Sequence, residues 1–554
     1  MREIYPAVLA LTMALGMSVA ALASTHNDAA GYGDYLSAHL AAANHDLPTA
    51  AELYRSSLAD DPDNADLLNR AFLFSAASGD MDNAVKLAGR IVRTLHDDRP
   101  ARLTLAVQAI KDGDYGAARM QIAQSAKGPF TELMLSLLDA WAAEGNGDTK
   151  SALADIKNVV GQGGTAALAA FHRGLILDLA GQSADADTAY QEALAAGGSS
   201  PRVTEAYGRF LERQGRTVDA RAFYTKLEAD STLAPVGEQG LARIAAGTKP
   251  ARLIATPQQG AGEVLFGIAA SLTDQNNADI AVLYLRMALY LSPDLDLAKI
   301  VLADRYETLN KFADAIAVYR GVDPDSPYGT AARIQLAIDE SKLDQNDKAI
   351  AELKTLVAAR PDDISGWTAL GDAYRSAEHF PEAADAYDHA VKLLSPPVAR
   401  DWPLYYARGV AEEQAKNWPA AEADMLEALK LSPDQASVLN YLGYSWIDQG
   451  RRLPEAVAML EKARSLSPFD GYIVDSVGWA YFRTGRYQDA AATLLEAVQL
   501  VPGDPTINEH LGDAYWKVGR KLDARFQWNH ALADGPDDKQ KAELQEKLKE
   551  GLGG

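Results

Sequence analysis

Side chains that could carry out catalysis occur in this sequence, but their spacing does not assemble a catalytic or metal site. The nine histidines are scattered, and no two of them stand four residues apart beside a carboxylate, the order in which a helix presents zinc ligands. His379 and His389 are ten residues apart and fall on separate predicted helices. We interpret the histidines as surface or packing residues, and the sequence predicts no metal and no cofactor.

Two glycine motifs resemble nucleotide-binding or nucleophile turns in residue type, but not in the secondary structure predicted around them. Residues Gly161–Ala166 (GQGGTA) fit a relaxed dinucleotide fingerprint. They follow a predicted helix, however, whereas the fingerprint needs a preceding strand to direct a helix N-terminus at the pyrophosphate. Residues Gly443–Ile447 (GYSWI) lack the last glycine of a nucleophile elbow and lie within a predicted helix, where that strained turn cannot form. The sequence therefore predicts that the protein is not an enzyme.

The elements that position these side chains follow a period of 34 residues. Five glycines stand 34 residues apart, and an alanine follows five residues after each of them. In a helix–turn–helix repeat of this length, glycine stands where the first helix ends in a left-handed residue. The alanine is expected where the second helix packs closely against the first. These residues are Gly79, Gly113, Gly147, Gly181 and Gly215, with Ala84, Ala118, Ala152, Ala186 and Ala220.

A second run of repeats follows in a shifted register. Prolines close most of these repeats, because proline lacks the amide that a continuing helix needs. The predicted repeats of the first run begin at residues 31, 65, 99, 133, 167 and 201, and those of the second run begin at residues 262, 296, 330, 364, 402, 436, 471 and 505. The sequence therefore predicts about six units in a first array and eight in a second, or about 14 in all.

The repeats resemble the tetratricopeptide repeat (TPR) superfamily. Its motif positions are matched in one repeat by Trp367, Leu370, Gly371, Tyr374, Ala383, Tyr387 and Ala390, and in another by Gly512, Tyr515, Ala524, Trp528, Ala531 and Pro536. The resemblance implies an all-α fold, an α-solenoid in which each unit contacts its neighbours. The predicted divisions are a signal peptide at 1–23, TPR arrays at 31–234 and 262–538, a linker or elbow at 235–261, and a capping helix and tail at 539–554.

The segment 235–261 and the C-terminal tail depart from the repeat pattern. Glycine and proline are typical of turns and linkers, and the segment contains Pro235, Gly237, Gly240, Gly247, Pro250, Pro257 and Gly260. Its stretch Glu238–Ala246 is predicted to form one short helix. In the tail, Leu544, Leu548 and Leu552 repeat every four residues among Lys and Glu. This spacing predicts an amphipathic helix that covers the apolar face of the last repeat.

Composition limits the kinds of partner that the protein can bind. The chain is 48% hydrophobic, which suffices for a buried core, and its formal net charge is −23. Such a surface repels nucleic acid and anionic lipid headgroups and favours cationic or neutral partners, although solvated acidic outer faces alone would give the same charge. There is no cysteine, so the sequence offers no disulfide and no lipid-attachment thiol.

The N-terminal segment is predicted to direct export. Arg2 is followed by the apolar run Ala7–Val19, and Ala21–Leu22–Ala23 forms an A-x-A cleavage site before Ser24, as in a secretory signal. The expected location is the bacterial periplasm, or outside the cell, with no integral membrane domain after cleavage. The alternative is a membrane anchor, because Ile4–Ala23 is long enough to cross a bilayer if it is not cleaved.

In the TPR family the first helices of the units line a concave groove, into which positions 2, 5, 9 and 12 of each unit point. The resemblance therefore implies a partner-binding groove in the last three units. Its residues are Asn440, Tyr444, Ile447, Tyr472, Asp475, Trp479, Phe482, Glu509, Asp513 and Trp516. Aromatic side chains supply a large contact area at low entropic cost, and the carboxylates would attract a Lys, an Arg or a free amine.

Two interpretations of the groove aromatics stay open at this point. Trp479 and Trp516 stand at outward-facing positions, where either contact with a ligand or packing between units explains them. The same alternatives apply to Trp141 in the first array. Some TPR proteins hold the C-terminal carboxylate of a peptide in a carboxylate clamp, which has a Lys at position 5 and an Asn at position 9. Such a clamp is not expected here. The last unit holds Glu509 and Asp513 there, and these acidic side chains would repel a terminal carboxylate.

The sequence as a whole predicts a non-catalytic protein-binding scaffold or adaptor of the bacterial cell envelope. The expected partner is a protein with a basic or neutral apolar segment, and no nucleic acid is expected to bind. Export and TPR content resemble periplasmic TPR adaptors that recruit carboxyl-terminal processing proteases, which implies an envelope protease as partner; those adaptors carry a lipid anchor, for which this chain has no cysteine. The alternatives are binding of a cell-wall or exopolysaccharide chain, and a role as an envelope assembly or secretion factor.

Overall fold

The computed structural model describes residues 27–126, 128–157, 164–197, 200–230, 232–272 and 278–552. Within these ranges the protein consists of 30 α-helices and no β-strand, which confirms the predicted all-α repeat array. The predicted signal peptide at 1–23 lies outside the described residues, as do residues 161–163 of the first glycine motif.

The helices belong to two compact units, residues 1–343 and 344–554. The first unit contains α1 Asn27–Ala43, α2 Leu47–Asp60, α3 Ala65–Ser78, α4 Met81–Ile91, α5 Arg99–Lys111, α6 Tyr115–Ala123, α7 Pro129–Gly145, α8 Thr149–Lys157, α9 Gly164–Leu179, α10 Ser183–Ala195, α11 Pro201–Arg213, α12 Thr217–Leu227, α13 Ala234–Ala246, α14 Pro257–Ser271, α15 Ala278–Leu291, α16 Asp296–Thr308, α17 Phe312–Tyr319 and α18 Gly329–Lys342. The second unit contains α19 Asn346–Ala359, α20 Ile364–Ser376, α21 Phe380–Leu393, α22 Trp402–Gln414, α23 Trp418–Leu431, α24 Ala436–Asp448, α25 Leu453–Leu466, α26 Gly471–Arg483, α27 Tyr487–Leu500, α28 Pro505–Lys517, α29 Lys521–Ala533 and α30 Asp538–Glu550.

The predicted turn glycines follow the first helix of each repeat in the left-handed backbone region. The φ angles of Gly79, Gly113, Gly147, Gly181 and Gly215 are +90°, +76°, +77°, +77° and +74°. Glycine enters this region without the clash of a β-carbon, which explains why the glycines recur with the period of the turns. In the first repeat, His45 takes the same place with a φ of +52°. In some repeats an aspartate then caps the next helix, as where Asp114 accepts a hydrogen bond from the Ala117 amide at 2.9 Å.

The predicted alanines lie where the two helices of a repeat pack most closely. They are Ala84, Ala118, Ala152, Ala186 and Ala220, and all five are fully buried. Glycines on the first helices allow equally close contact, because a β-carbon at Gly208 would come within 2.4 Å of the Tyr224 ring. Interiors packed at this density leave no room for an additional carbon at such a point.

The boundary between the two compact units lies after Leu343, between α18 and α19. It therefore passes between the two helices of the repeat that is predicted to start at residue 330. The predicted elbow at 235–261 lies inside the first unit, where it comprises most of α13 and the loop that leads to α14. The array boundaries proposed from the sequence stay a prediction.

Several glycines that suggested a linker lie inside helices, at points of close packing. A β-carbon at Gly240 of α13 would come within 2.4 Å of the Tyr224 ring, and one at Gly260 of α14 within 2.3 Å of the Trp141 ring. Gly240 falls in the stretch Glu238–Ala246, which is predicted to be a helix. The interpretation of Gly260 as a turn residue is wrong, because composition alone does not distinguish a turn glycine from one that lets another side chain approach the backbone.

Helices α14 and α15 fill the inner face of the first unit. Helix α14 packs against α5, α7 and α9, and α15 packs against α3 and α5; these partners are all first helices of predicted repeats. Lys111 of α5 donates a hydrogen bond to the Tyr290 carbonyl at 2.6 Å, and the Tyr290 hydroxyl donates one to the Gln108 side chain at 2.8 Å. The surface that would form the groove of the first array is therefore occupied by its own chain.

A buried ion cluster ties α14 to α11. Arg202 donates hydrogen bonds to Glu263 at 2.5 Å and to Glu205 at 3.1 Å, and all three residues are buried. Burial lowers the pKa of Arg202, but the charges of Glu263 and Glu205 outweigh this effect and raise it above its ordinary value. Arg202 therefore stays charged between the two carboxylates, and Glu205 is also paired with Arg209 at 2.6 Å.

The main core of the second unit lies among α22 to α30. Trp446, Leu460, Val477, Leu511 and Trp528 are buried members of this core. Helices α22, α24, α26 and α28 are the first helices of the last four repeats, and α26 contacts both α24 and α28. The inner face therefore continues from α24 through α26 to α28.

Candidate partner-binding groove

The predicted groove residues lie on three adjacent helices of the second unit. Asn440, Tyr444 and Ile447 lie on α24; Tyr472, Asp475, Trp479 and Phe482 lie on α26; and Glu509, Asp513 and Trp516 lie on α28. On each helix they are three or four residues apart, so they share one helix face. The structure brings them to one side of the array, but it gives them different environments.

Trp479 is the centre of a stack of rings. Its indole lies 4.9 Å from the Phe482 ring and 4.0 Å from the His510 imidazole, with interplanar angles of 9° and 13°. The Arg483 guanidinium lies 6.0 Å from the centre of the indole, a cation–π distance. Trp479 and Phe482 are half-buried, so the tryptophan both packs between repeats and presents an edge to solvent.

Asp475 lies beneath this stack and is paired with His510. The Nδ1 atom of His510 is 3.0 Å from both carboxylate oxygens of Asp475, and both residues are buried. Burial lowers the pKa of His510, but Asp475, through its charge and hydrogen bond, outweighs this effect, aided by Asp513 and Glu509, and raises it above its ordinary value. Asp475 therefore holds the stack in place and does not present a free carboxylate to a partner.

The remaining predicted residues on α24 and α26 differ in exposure. Tyr472 is exposed, and Tyr444 is half-buried; burial, aided by Asp475 and Asp448, raises the pKa of Tyr444 to about 12. Asn440 is half-buried, and its side-chain oxygen has no hydrogen-bond partner among the described residues. Tyr472 and Tyr444 therefore present surface to a ligand, whereas the side-chain oxygen of Asn440 is buried.

Ile447 is not a groove residue. Its side chain is fully buried in the core beside Leu442 and Trp446. The positional rule of the family places it in the groove, but on α24 this position turns towards the neighbouring helices. Its expected contact with a partner is therefore wrong.

The acidic end of the predicted groove is already neutralised. The Lys547 ammonium of α30 donates hydrogen bonds to Glu509 at 2.6 Å and to Asp513 at 2.7 Å. The Gln540 amide of α30 donates to Glu509 at 2.8 Å, and the Trp528 indole donates to Asp513 at 2.9 Å. Glu509 and Asp513 are only 7% and 4% exposed, so in this conformation they do not attract a partner from solution.

Trp516 is covered by the same end of the chain. Gly551, directly after α30, lies so close that a β-carbon there would come within 2.1 Å of the Trp516 ring. The indole also lies near Trp528, at 5.3 Å between ring centres. The Lys521 ammonium also lies 4.9 Å from the ring centre. For Trp516 the structure favours packing over an open ligand site.

The inner face carries further aromatic residues that the sequence prediction missed. Tyr406 lies 5.9 Å from Tyr441 in an edge-to-face arrangement and 6.2 Å from Trp402, and the Tyr441 hydroxyl donates a hydrogen bond to Glu413 at 3.2 Å. Tyr406 stands at position 5 of its repeat, so the same positional rule applied one repeat earlier would have found it. We define the aromatic row as Trp402, Tyr406, Tyr441, Tyr444, Trp479 and Phe482, all of which are half-buried.

Trp141 in the first unit is a packing residue. It is fully buried, and its indole N–H donates a hydrogen bond to Nδ1 of His172 at 3.0 Å. Burial lowers the pKa of His172 to about 3, so this imidazole stays neutral and can accept the bond. With α14 seated on it through Gly260, Trp141 has no surface for a ligand.

Neither a metal site nor a membrane-spanning helix occurs in the described parts of the chain. No group of three or more His, Asp or Glu side chains in those ranges is arranged to hold a metal ion. No helix there is both long and apolar enough to cross a bilayer.

Comparison with known proteins decides the family. Tetratricopeptide repeat profiles match residues 179–235, 334–396 and 404–471, and a TPR repeat profile matches residues 478–519. Each of these matches contains left-handed turn residues, as at Gly181 in the first, Glu378 in the second, Lys416 in the third and Gly485 in the last. The chain belongs to the TPR superfamily. TPR arrays are in general non-catalytic scaffolds that bind protein partners.

Curated relatives of this TPR protein match parts of the array. It is 27% identical over 191 residues to a TPR repeat-containing protein of Pseudomonas aeruginosa, which covers 34% of this chain and 32% of that protein. It is 28% identical over 140 residues to the cytochrome c-type biogenesis protein CycH of Pseudomonas aeruginosa, covering 24% and 33%. It is 33% identical over 118 residues to CycH of Rhizobium meliloti, covering 20% and 29%. The chain spans about a third of the length of the curated relatives it matches.

The chain is also similar to solved structures. The Cut9–Hcn1 structure of the APC/C hetero-tetramer has 16% identity and a TM-score of 0.38, covering 97% of this chain and 99% of that chain. A tetratricopeptide repeat protein from Parabacteroides merdae has 15% identity and a TM-score of 0.37, covering 45% of this chain and 96% of that chain.

Proposed function

We propose that this TPR protein is an envelope scaffold whose second unit binds a segment of a partner protein along the aromatic row. The observation that carries the proposal is the contrast between the two inner faces. In the first unit this face is filled by α14 and α15, whereas in the second unit six aromatic side chains along it are half-buried. Such rings gain contact area on binding at little entropic cost, because they are already held by packing.

The polar groups along the row indicate what the partner segment carries. Glu413 and Asp448 lie beside Tyr441 and Tyr444, so a Lys or Arg on the partner would find an acidic neighbour. The partner is therefore proposed to be an extended or helical segment with basic residues among apolar ones.

Replacing Trp479 by alanine tests this site. Loss of a central aromatic anchor costs about 2 kcal/mol or more, which is roughly thirtyfold in affinity. The protein is used to capture partners from extracts of its source organism, and the affinity of the captured protein is then measured by calorimetry. Phe526→Ala is the matched control, because Phe526 is exposed on α29, outside the row.

The two variants together decide the result. Thermal unfolding is measured for both, because Trp479 also packs on His510. If the wild type and Trp479→Ala bound the captured protein with equal affinity, the aromatic row would not be the binding site. Retention of a glycan with no captured protein would instead support the polysaccharide alternative.

The envelope location is a separate part of the proposal and rests on the apolar N-terminal run and its A-x-A site. Protein recovered from the source organism is expected to begin at Ser24 on N-terminal sequencing. A protein that begins at Met1 in the membrane fraction would support the anchored alternative instead.

A role as an assembly factor is the second candidate. Two of the relatives are cytochrome c-type biogenesis proteins, and a scaffold that holds a client segment during assembly would need the same groove. Capture of a client only while that client is being assembled would favour this role over a permanent adaptor.

A further inference from the structure

The helix α30 does more than cover the end of the array. A helix that only caps needs an apolar face towards the last repeat and a polar face towards solvent. Helix α30 meets this requirement with Leu544, which is fully buried. It also places Lys547 between Glu509 and Asp513, which stand at the groove positions 5 and 9 of the last repeat.

The two carboxylates need a cation from whatever lies over them. Both are buried on one face of α28, a single turn apart, and buried carboxylates without a cation are costly. Burial raises the pKa of Asp513 more than Lys547 lowers it. An occupant of this end of the groove must therefore bring a positive charge, and α30 supplies it.

Helix α30 packs on the array through few of its residues. Leu544 is its only buried residue, and its other charged residues besides Lys547 are exposed. Leu548 and the tail residue Leu552 are partly buried against the core, Gly551 lies on Trp516, and Gln540 donates a hydrogen bond to Glu509. A short terminal helix with a single fully buried residue belongs to the least stable parts of a structure and can open without global unfolding.

We propose that α30 is an internal ligand, which occupies the acidic end of the partner groove and is displaced by a partner helix of the same chemistry. This inference rests on the proposed function. It specifies that the partner segment is an amphipathic helix, in which a lysine stands three residues after one leucine and directly before another, as in Leu544, Lys547 and Leu548 here. While α30 is seated, Glu509 and Asp513 are closed to the partner, and Gly551 covers part of the half-buried Trp516 ring.

A peptide with the sequence of residues 537–552 serves as the probe. Full-length protein with Leu544→Asp and Lys547→Ala loses the only fully buried side chain of α30 and its ammonium group, so we expect α30 to leave the groove open to the labelled wild-type peptide. We expect this variant to bind the peptide at least about tenfold more tightly than the wild-type chain does, because only the variant has a vacant site. A peptide with Lys547→Glu should bind at least about tenfold more weakly than the wild-type peptide.

The matched control variant carries Lys539→Ala and Lys541→Ala, two exposed lysines of the same helix, and should bind the peptide no better than the wild type. Equal binding by the wild-type and Leu544→Asp/Lys547→Ala chains, or equal binding of the two peptides, would overturn the inference. Either result would leave the Trp479 experiment on the aromatic row unaffected.

A measurement on the unaltered protein covers the case in which the double variant fails to fold. Amides of α30 should exchange hydrogen at least about tenfold faster than amides of α28 in the folded chain, because α30 opens locally. Equal protection of the two helices would show that α30 leaves only on global unfolding, which would contradict displacement by a partner.

Discussion

Replacement of Trp141 by alanine is expected to lower the free energy of unfolding of the first unit by about 3–5 kcal/mol. Trp141 lies on α7, and its indole is fully buried against α14 and His172. Its loss leaves a cavity and deprives His172 of its hydrogen-bond donor. Urea denaturation of the full chain, followed by hydrogen exchange in α7, measures the effect within residues 129–145. A loss below about 1 kcal/mol would show that α14 is not seated on Trp141.

Two glycines on α14 provide the control for this contact. A β-carbon at Gly260 would meet the Trp141 ring at 2.3 Å, whereas one at Gly267 would meet only a terminal carbon of Leu168 at 3.2 Å. Gly260→Ala should destabilise the unit by about 1–3 kcal/mol. Gly267→Ala should be neutral or slightly stabilising, because alanine is the better helix former.

Replacement of Arg202 by methionine is expected to cost a similar amount, about 3–5 kcal/mol, because it leaves Glu205 and Glu263 buried without this shared cation. Methionine keeps most of the side-chain volume, so the change removes charge and hydrogen bonds more than packing. Chemical denaturation monitored in the first unit measures the loss. Arg221→Met on the exposed surface of α12 should change stability by less than about 0.5 kcal/mol.

A second substitution separates the loss of charge compensation from other causes. In the double variant Arg202→Met/Glu263→Gln, one uncompensated carboxylate is removed, and Glu205 still has Arg209 at 2.6 Å. Part of the lost stability should therefore return. If the double variant were less stable than Arg202→Met alone, the buried charge of Glu263 would not be the cause.

The repeat architecture could be predicted from the sequence because each repeat depends on local chemistry. Gly79 and its equivalents mark turns that need a positive φ, and Ala84 and its equivalents mark helix contacts that need a small side chain. Both constraints act within one repeat and recur with it. The seating of α14 on α7 could not be predicted, because the contact of Gly260 with Trp141 joins residues from distant repeats and leaves no periodic signal.

For the candidate site, too, the sequence predicted the features that arise within one repeat and missed contacts from other parts of the chain. Tyr444, Trp479 and Phe482 lie where the positional rule of the family places them, since that rule describes the face of a helix. The rule contains no information about neighbours outside the repeat pattern. It therefore assigned Glu509 and Asp513 to an open acidic surface, although Lys547 from the C-terminal helix α30 lies between them.

The return of α14 and α15 to the inner face has a consequence for how the chain is made. Repeat arrays fold largely through contacts between sequence neighbours. Here, however, Lys111 forms its hydrogen bond with Tyr290, which is synthesised 179 residues later in the chain. At bacterial rates of synthesis of about 5–20 residues per second, the surface around Trp141 stays uncovered for roughly 6–24 s until Gly260 emerges from the ribosome. Such distant pairing slows folding, so the N-terminal repeats are the part of the nascent chain most in need of a chaperone.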